Sequence, residues 1–183
     1  MVSSTTALFW SLYLLALDPA TQDKLAAEVR EATAHGGPDL DRLKFARAVV
    51  DETMRLYPPA FLIARAAAAP DVVAGLPIRK HDVMLIAPWL LHRHEKLWRD
   101  PNAFIPERFM PPAPPPDRFA HLPFGVGPRI CIGAHFALVE ATLALAKIVG
   151  AFRVTLLDKE PVMPVGVVTT QPDRSPMFRI APR

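Results

Sequence analysis

The most constraining feature of this chain is the stretch FGVGPRICIG at residues 124–133, which contains the only cysteine among its 183 residues. Glycines permit tight turns and let a backbone approach a flat ligand closely. The apolar run that follows predicts a helix, whose first N–H groups and positive dipole end would point at the sulfur of Cys131. A thiolate in such a loop is a soft ligand suited to iron. The stretch therefore predicts a metal-ligating loop, although a lone cysteine is more often a buried small hydrophobe.

The same ten residues resemble the haem-ligand signature of the cytochrome P-450 family of haem-thiolate monooxygenases, Phe-Gly-x-Gly-x-Arg/His-x-Cys-x-Gly, at every fixed position. The resemblance implies haem b as the cofactor, with Cys131 as the iron ligand. A cation two residues before the cysteine suits the carboxylates at the porphyrin edge, so Arg129 is expected to meet a haem propionate. The remaining cofactor-binding residues implied by the loop are Phe124, Gly125 and Gly133.

A second motif lies on the helix predicted for residues 39–56. Glu52 and Arg55 are three residues apart and share one helical face. An isolated pair of this kind is usually a solvated surface pair, but this one has apolar neighbours. It resembles the Glu-x-x-Arg helix of the same family, where the pair joins an arginine further along the chain; Arg108 is the candidate here. Buried charges must satisfy one another, so the expected role is architectural.

The resemblance also implies residues on the other side of the haem. Arg65, at the end of a short apolar run, is expected to pair with a propionate. His121, three residues before Phe124, is a further propionate candidate, whereas His92 and His94 are predicted to be solvated or structural. The resemblance implies that Phe61, Leu62 and Ile63 of the short apolar run line the substrate pocket, although they would also suit a strand of the core. Val168, in the turn of a final hairpin, is expected to line the same pocket.

The hydroxyl expected to relay protons on the distal side is that of Thr5, in the helix over the haem. The alternative is a helix hydroxyl that bonds its own backbone. Ser4 stands where the family often has an acidic residue. The spacing to Trp10 also allows Ser3 or Ser4, in place of Thr5, to be the residue at the family's hydroxyl position.

The fold predicted from these patterns is mainly α with small β-sheets, the C-terminal part of the cytochrome P-450 fold. Residues 1–17 predict the second half of a long buried helix, too short in its apolar part to span a bilayer. Asp18 and Pro19 predict the cap of a second helix over residues 20–34, which Gly36, Gly37 and Pro38 would end. Strands are expected near residues 61–65, 72–77 and 82–87, a helix at 134–150, a strand at 152–157, and a hairpin of 165–169 with 176–180.

Composition limits the functional classes. Hydrophobic residues make up 51% of the chain, enough for a sizeable core, and the net charge is +3. The sequence has no block of basic residues, so its charge pattern does not indicate a nucleic-acid partner. A single cysteine cannot form an internal disulfide, which favours a reducing compartment. Since residues 1–17 resemble neither a signal peptide nor a membrane span, we expect a cytoplasmic location.

The resemblance covers essentially all 183 residues and begins partway along the oxygen-binding helix. Residues 1–183 are therefore expected to be the haem-binding C-terminal part of one domain whose N-terminal half is absent. The implied activity is insertion of one atom of dioxygen into an apolar small molecule, with electrons from NAD(P)H through a ferredoxin or flavoprotein reductase. The alternatives are an inactive haem-binding fragment, and a non-haem interaction module that binds through the proline-rich residues 110–117.

Overall fold

The computed structural model describes residues 2–34 and 39–183. Its α-helices are α1 (Val2–Leu17), α2 (Pro19–Thr33), α3 (Lys44–Leu56), α4 (Pro88–Leu91) and α5 (Ala134–Ala151). Its strands are β1 (Ile63–Ala66), β2 (Asp71–Val73), β3 (Leu76–Ile78), β4 (Val83–Ile86), β5 (Phe152–Leu156), β6 (Pro164–Gly166), β7 (Thr170–Pro172) and β8 (Phe178–Pro182). Long helices with small two-stranded sheets confirm the predicted α+β class.

The boundary between α1 and α2 follows from local chemistry. The Asp18 carboxylate accepts the backbone N–H of Thr21 at 3.0 Å, and Pro19 occupies the first turn of α2. This arrangement satisfies an N–H group that otherwise has no partner in the helix. The apolar face predicted for α2 is buried, in agreement with the four-residue spacing of Leu25 and Val29. The predicted stop at residues 36–38 lies outside the described residues.

The start of α3 depends on a different element. The predicted helix over residues 39–56 begins instead as a 3₁₀ turn at Leu40–Arg42, and the α-helix starts at Lys44. The carboxylate of Glu28 on α2 accepts the N–H groups of Phe45 and Ala46 at 2.6 and 2.8 Å. A side chain from α2 therefore caps α3, which has no capping side chain of its own.

The core forms where α1, α2, α3 and α5 pack together. Leu15, Leu25, Val49, Leu145 and Val149 are completely buried there. Within the described residues, α5 is the helix long and apolar enough to cross a membrane by length and composition alone. Its contacts with the three other helices also suit the core helix of a folded domain.

The C-terminal strands differ from the prediction. The expected hairpin between residues 165–169 and 176–180 is wrong, because β6 pairs with β7 and β8 pairs with β5. Asp173 and Met163 exchange two hydrogen bonds that close the β6–β7 hairpin. Phe178, at the start of β8, packs beside Phe9 of α1 with ring centroids 6.4 Å apart. With β8 paired to β5, Val168 lies at the tip of the shorter β6–β7 hairpin.

Candidate functional site

The predicted ligand loop opens onto a cleft of about 530 Å³. That volume lies within the range of small-molecule and cofactor sites. Several elements contribute to its lining. The loop provides Pro123, Phe124, Gly125, Arg129, Cys131 and Gly133; α5 provides Phe136, Ala137, Glu140 and Ala141; and α1, α3 and the β1 region provide Ser4, Ala7, Met54, Pro59, Ala60, Ile63 and Arg65.

The loop holds Cys131 by backbone geometry. Gly125 and Gly127 have φ values of 72° and 77°, which strongly favour glycine. The N–H of Cys131 donates to the carbonyl oxygen of Phe124 at 3.0 Å, and α5 begins at Ala134. The thiol is exposed and the positive end of α5 lies just beyond it. This arrangement leaves the sulfur accessible from the cleft.

Bare backbone keeps room beside the sulfur. A Cβ added to Gly133 would lie 3.9 Å from Sγ of Cys131, and one added to Gly125 would lie 3.8 Å from Cδ1 of Ile63. Both distances are ordinary van der Waals contacts, so a methyl group at either position would fill space without a clash. The glycines thus leave a shallow cradle that suits a flat group.

Two arginines give the cleft a positive charge. Arg65, on β1, and Arg129, two residues before the cysteine, both line it. The Arg65 guanidinium donates to the backbone oxygen of Ala64 at 2.8 Å. Guanidinium groups bind carboxylates through paired, charge-assisted hydrogen bonds. The cleft therefore combines an accessible sulfur, an apolar wall, two cations and the carboxylate of Glu140.

The structure brings Glu52, Arg55 and Arg108 together. Nε and Nη2 of Arg55 donate to the two oxygens of Glu52 at 2.7 and 2.9 Å, and Nε of Arg108 lies 3.3 Å from Oε1. Glu52 and Arg55 are completely buried. Arg55 donates its remaining hydrogens to the backbone oxygens of His92, Pro101 and Ala103. Every N–H of Arg55 thus has an acceptor, which makes the buried charge tolerable.

His92 is structural, one of the two roles that we expected for it. It is completely buried. Its Nε2 accepts the N–H of Leu122 at 2.7 Å, and its Nδ1 lies 3.2 Å from the backbone oxygen of Arg55. Burial lowers the pKa of His92 to about 4. The only sign in the sequence that His92 is buried is its position at the end of an apolar run.

His121 lies away from the lining of the cleft. Its ring centroid is 4.9 Å from that of Phe109, 5.2 Å from that of His92 and 6.1 Å from that of Trp98. Burial, with the nearby charges of His92 and Arg55, lowers the pKa of His121 to about 3. The ring is therefore neutral and packed among aromatic groups, and the propionate role expected for His121 stays a prediction.

Several expected pocket residues do not line the cleft. Thr5 is exposed and Ser4 lines the cleft instead, while the side chain of Ser3 lies outside the described part of the chain. Ile63 lines the cleft, whereas Leu62 is exposed. Phe61 packs against the β6–β7 hairpin, where a Cβ on Gly166 would lie 2.7 Å from its ring. Val168 is 82% exposed at the hairpin tip.

A larger groove of about 840 Å³ has no described lining residue in common with this cleft. It lies between α2, α5 and the β5–β8 sheet, and its rim includes Arg30, Lys147, Arg153 and Arg183. Asp23 forms ion pairs with both Arg153 and Arg183. Among the described residues that line it, the groove has no cysteine or histidine, so this part of the chain offers a metal no thiolate ligand there.

Comparison with curated proteins gives relatives of similar sequence. The chain is 36% identical over 166 residues to cyclooctatin synthase of Streptomyces melanosporofaciens, covering 88% of this chain and 36% of that protein. It is 38% identical over 175 residues to cytokinin hydroxylase of Arabidopsis thaliana, covering 92% and 34%. With cytochrome P450 3A29 of Sus scrofa it is 34% identical over 189 residues, covering 99% and 37%.

The chain thus spans roughly a third of the length of these relatives. The family profile described as Cytochrome P450 matches residues 1–175. Together with a cysteine loop that meets every fixed position of the haem-ligand signature, this match shows that the chain belongs to the cytochrome P450 family.

Proposed function

We propose that the cleft binds haem b and that the chain forms the ligand side of a haem-thiolate monooxygenase. The observation that carries this proposal is the placing of Cys131, Arg65 and Arg129 on one cleft. When bound, the haem supplies the activation of dioxygen from which one oxygen atom enters an apolar substrate. The remaining steps of the proposal concern what the residues of this chain do.

Cys131 would hold the iron through its sulfur. It is exposed to the cleft, its backbone N–H is bonded to Phe124, and α5 starts three residues later. Arg65 and Arg129 would hold the two carboxylates of the porphyrin edge. The bare backbone of Gly133 leaves the flat ring room beside the sulfur, and that of Gly125 leaves room beside Ile63. The residues present therefore fit the group.

The walls suggest the substrate class and the proton path. Ala7, Met54, Ala60 and Ile63 present apolar surface to the cleft, which suits an apolar small molecule. We assign the proton-holding hydroxyl to Ser4 rather than Thr5, since Ser4 lines the cleft. Phe61, Leu62 and Val168 are proposed only for the rim of the pocket.

The buried charge network is proposed to be architectural. Glu52, Arg55 and Arg108 tie α3 to residues 100–108, and none of them lines the cleft. Electrons are proposed to come from NAD(P)H through a ferredoxin or flavoprotein reductase, as the family resemblance implies. A cytoplasmic location stays a prediction.

The exposure of the cleft favours a second candidate function. Phe136 is 70% exposed and Cys131 is also exposed. A site open to water loses the dry environment in which fixed charges act most strongly. Haem binding without substrate oxidation is therefore the alternative to a complete monooxygenase.

A haem titration tests the proposal. The purified chain should bind haem and, when reduced and exposed to carbon monoxide, show the strongly red-shifted main band of thiolate ligation. Cys131→Ala should abolish that band, since no other cysteine can replace the ligand. An unchanged band in this variant would contradict the assignment. Product formed per NAD(P)H with a ferredoxin system then separates a monooxygenase from a haem carrier.

A further inference from the structure

His92 connects two parts of the site that are distant in the sequence. It directly follows α4 and is completely buried. Its Nδ1 faces the backbone oxygen of Arg55 in the last turn of α3, and its Nε2 faces the N–H of Leu122, just before the ligand loop. One ring therefore bridges the helix of the buried charges and the entry to the loop that carries Cys131.

Only one protonation state of His92 satisfies both contacts. The backbone N–H of Leu122 is a donor, so Nε2 must be an unprotonated acceptor. The proton then resides on Nδ1 and is donated to the oxygen of Arg55. A charged ring or the other tautomer would put a hydrogen against the Leu122 N–H. The neutral Nδ1–H form is therefore built into the fold.

The contact with Leu122 continues into the ligand loop. The carbonyl oxygen of Leu122 accepts the N–H of Gly125 at 3.2 Å, and the carbonyl oxygen of Phe124 accepts the N–H of Cys131 at 3.0 Å. Leu122 is itself buried. His92 is also anchored on its far side, since its backbone oxygen accepts Nη1 of Arg55 at 2.7 Å. A displacement at Leu122 is thus passed to the peptide that orients Cys131.

We propose that His92 is a positioning residue for the Cys131 loop, acting through the hydrogen bond that its Nε2 accepts from Leu122. The expected effect of His92 on haem binding rests on the proposed haem-binding function. The hydrogen bonds that define its positioning role do not. It differs from the role of the buried charges, which bind backbone oxygens around α3. His92 instead reaches the ligand loop directly.

Two substitutions separate positioning from general packing. In His92→Gln the side-chain oxygen can occupy the place of Nε2 and accept from Leu122. In His92→Asn the amide nitrogen can occupy the place of Nδ1 and donate to Arg55, but nothing reaches Leu122. Both variants lose the ring, so they form a matched pair. The same two changes at the exposed His94 serve as the control.

Hydrogen exchange at the Leu122 amide is the readout that needs no haem. We expect exchange at least tenfold faster in His92→Asn than in His92→Gln, after correction for each variant's global stability. With haem, His92→Asn should lose part of the thiolate-type carbon monoxide band and bind haem about tenfold more weakly, whereas His92→Gln should keep both. Equal exchange and equal spectra in the two variants would overturn the proposal.

The unmodified chain provides an independent test if either variant fails to fold. The nitrogen chemical shifts of His92 at neutral pH should show a protonated Nδ1 and an unprotonated Nε2. The opposite tautomer or a charged ring would overturn the proposal. If haem binding itself fails but the tautomer and exchange results hold, the proposed function falls and the positioning of the loop by His92 stands.

Discussion

At the scale of single residues, the cleft separates groups that touch a ligand from groups that support them. Arg65, Arg129 and Cys131 line the cleft, while His92 and His121 lie outside its lining. The first set should contact the ligand directly. The second should act on binding only through the structure around the loop, and should control stability and its dependence on pH.

The two cleft arginines should control haem retention without affecting the sulfur ligand. We expect Arg65→Ala and Arg129→Ala each to weaken haem binding roughly tenfold, because each removes a charge-assisted hydrogen bond to a carboxylate. The carbon monoxide band should stay of the thiolate type. Transfer of haem to a scavenger protein measures the effect, and Arg30→Ala on the separate groove is the control. Transfer rates equal to those of the unmodified chain would reject the propionate role.

His92, which is buried, and His121, which is partly buried, should make the chain acid-sensitive. The folded pKa of His92 is about 4 and that of His121 about 3, against 6.5 for the ordinary side chain. The unfolded chain therefore binds more protons below pH 6.5, and stability should fall as the pH drops from 6.5 toward 4. The slope should be up to about 1.4 kcal/mol per pH unit for each histidine.

Urea unfolding at a series of pH values measures this slope. His92→Gln should reduce it by about one proton, whereas His94→Gln should leave it unchanged because His94 is exposed. A slope that is the same in all three proteins would show that His92 does not change its charge on unfolding.

At the scale of elements, α3 joins the core to the segment that leads to the ligand loop. Its last two turns bury Glu52 and Arg55, and residues 92–108 wrap around the Arg55 guanidinium. The ring of Trp98 also lies 5.0 Å from that guanidinium. The helix therefore depends on partners from a segment with little regular structure.

Arg55→Ala should destabilise the chain by about 3–5 kcal/mol, because it leaves the buried Glu52 charge with fewer partners. The control is Arg42→Ala, since Arg42 and Asp39 form a pair of the same spacing that is about half exposed. That change should cost no more than about 1 kcal/mol. Thermal or urea unfolding of both variants measures the difference, and similar losses would contradict the buried role.

Close packing of α2 against α5 depends on Gly150. A Cβ at this position would lie 2.6 Å from Cγ1 of Val29, a side chain that is stiff about χ1. Alanine normally stabilises a helix interior by about 1 kcal/mol over glycine. We nevertheless expect Gly150→Ala to destabilise the fold, because overpacking costs about 1–3 kcal/mol. The double variant with Val29→Ala should recover part of the loss in urea unfolding; a more stable single variant would show that the helices separate easily.

At the scale of the whole molecule, binding of haem should be linked to folding. The cleft is assembled from the ligand loop, α1, α3, α5 and β1, so the unfolded chain has no equivalent site. A ligand that binds only the folded state stabilises it by about 2.7 kcal/mol at a hundred times its dissociation constant. The unfolding temperature should therefore rise with haem concentration.

Calorimetry across a haem series tests this linkage. In Cys131→Ala the rise should require more haem, since the sulfur bond is lost while the arginines remain. An unfolding temperature that does not depend on haem would show that the cleft does not bind it in the folded state.

Local signals in the sequence are sufficient to predict several structural features of this protein. Asp18 followed by Pro19 predicted the cap of α2, and the spacing of Leu25 and Val29 predicted its buried face. The glycines and the cysteine of residues 124–133 predict a tight loop that leads into a helix, which the structure has. The role of Cys131 as an iron ligand stays a prediction. These features depend on residues within a turn or two of one another, whose chemistry is readable along the chain.

Contacts between distant residues were decided only by the tertiary structure. Glu28 caps α3 from another helix, β8 pairs with β5 rather than with the preceding hairpin, and Ser4 rather than Thr5 faces the cleft. His92 bonds to Leu122 thirty residues further along. Each outcome depends on how whole elements pack, since a side chain's partner is set by the orientation of the element that carries it and not by its sequence neighbours.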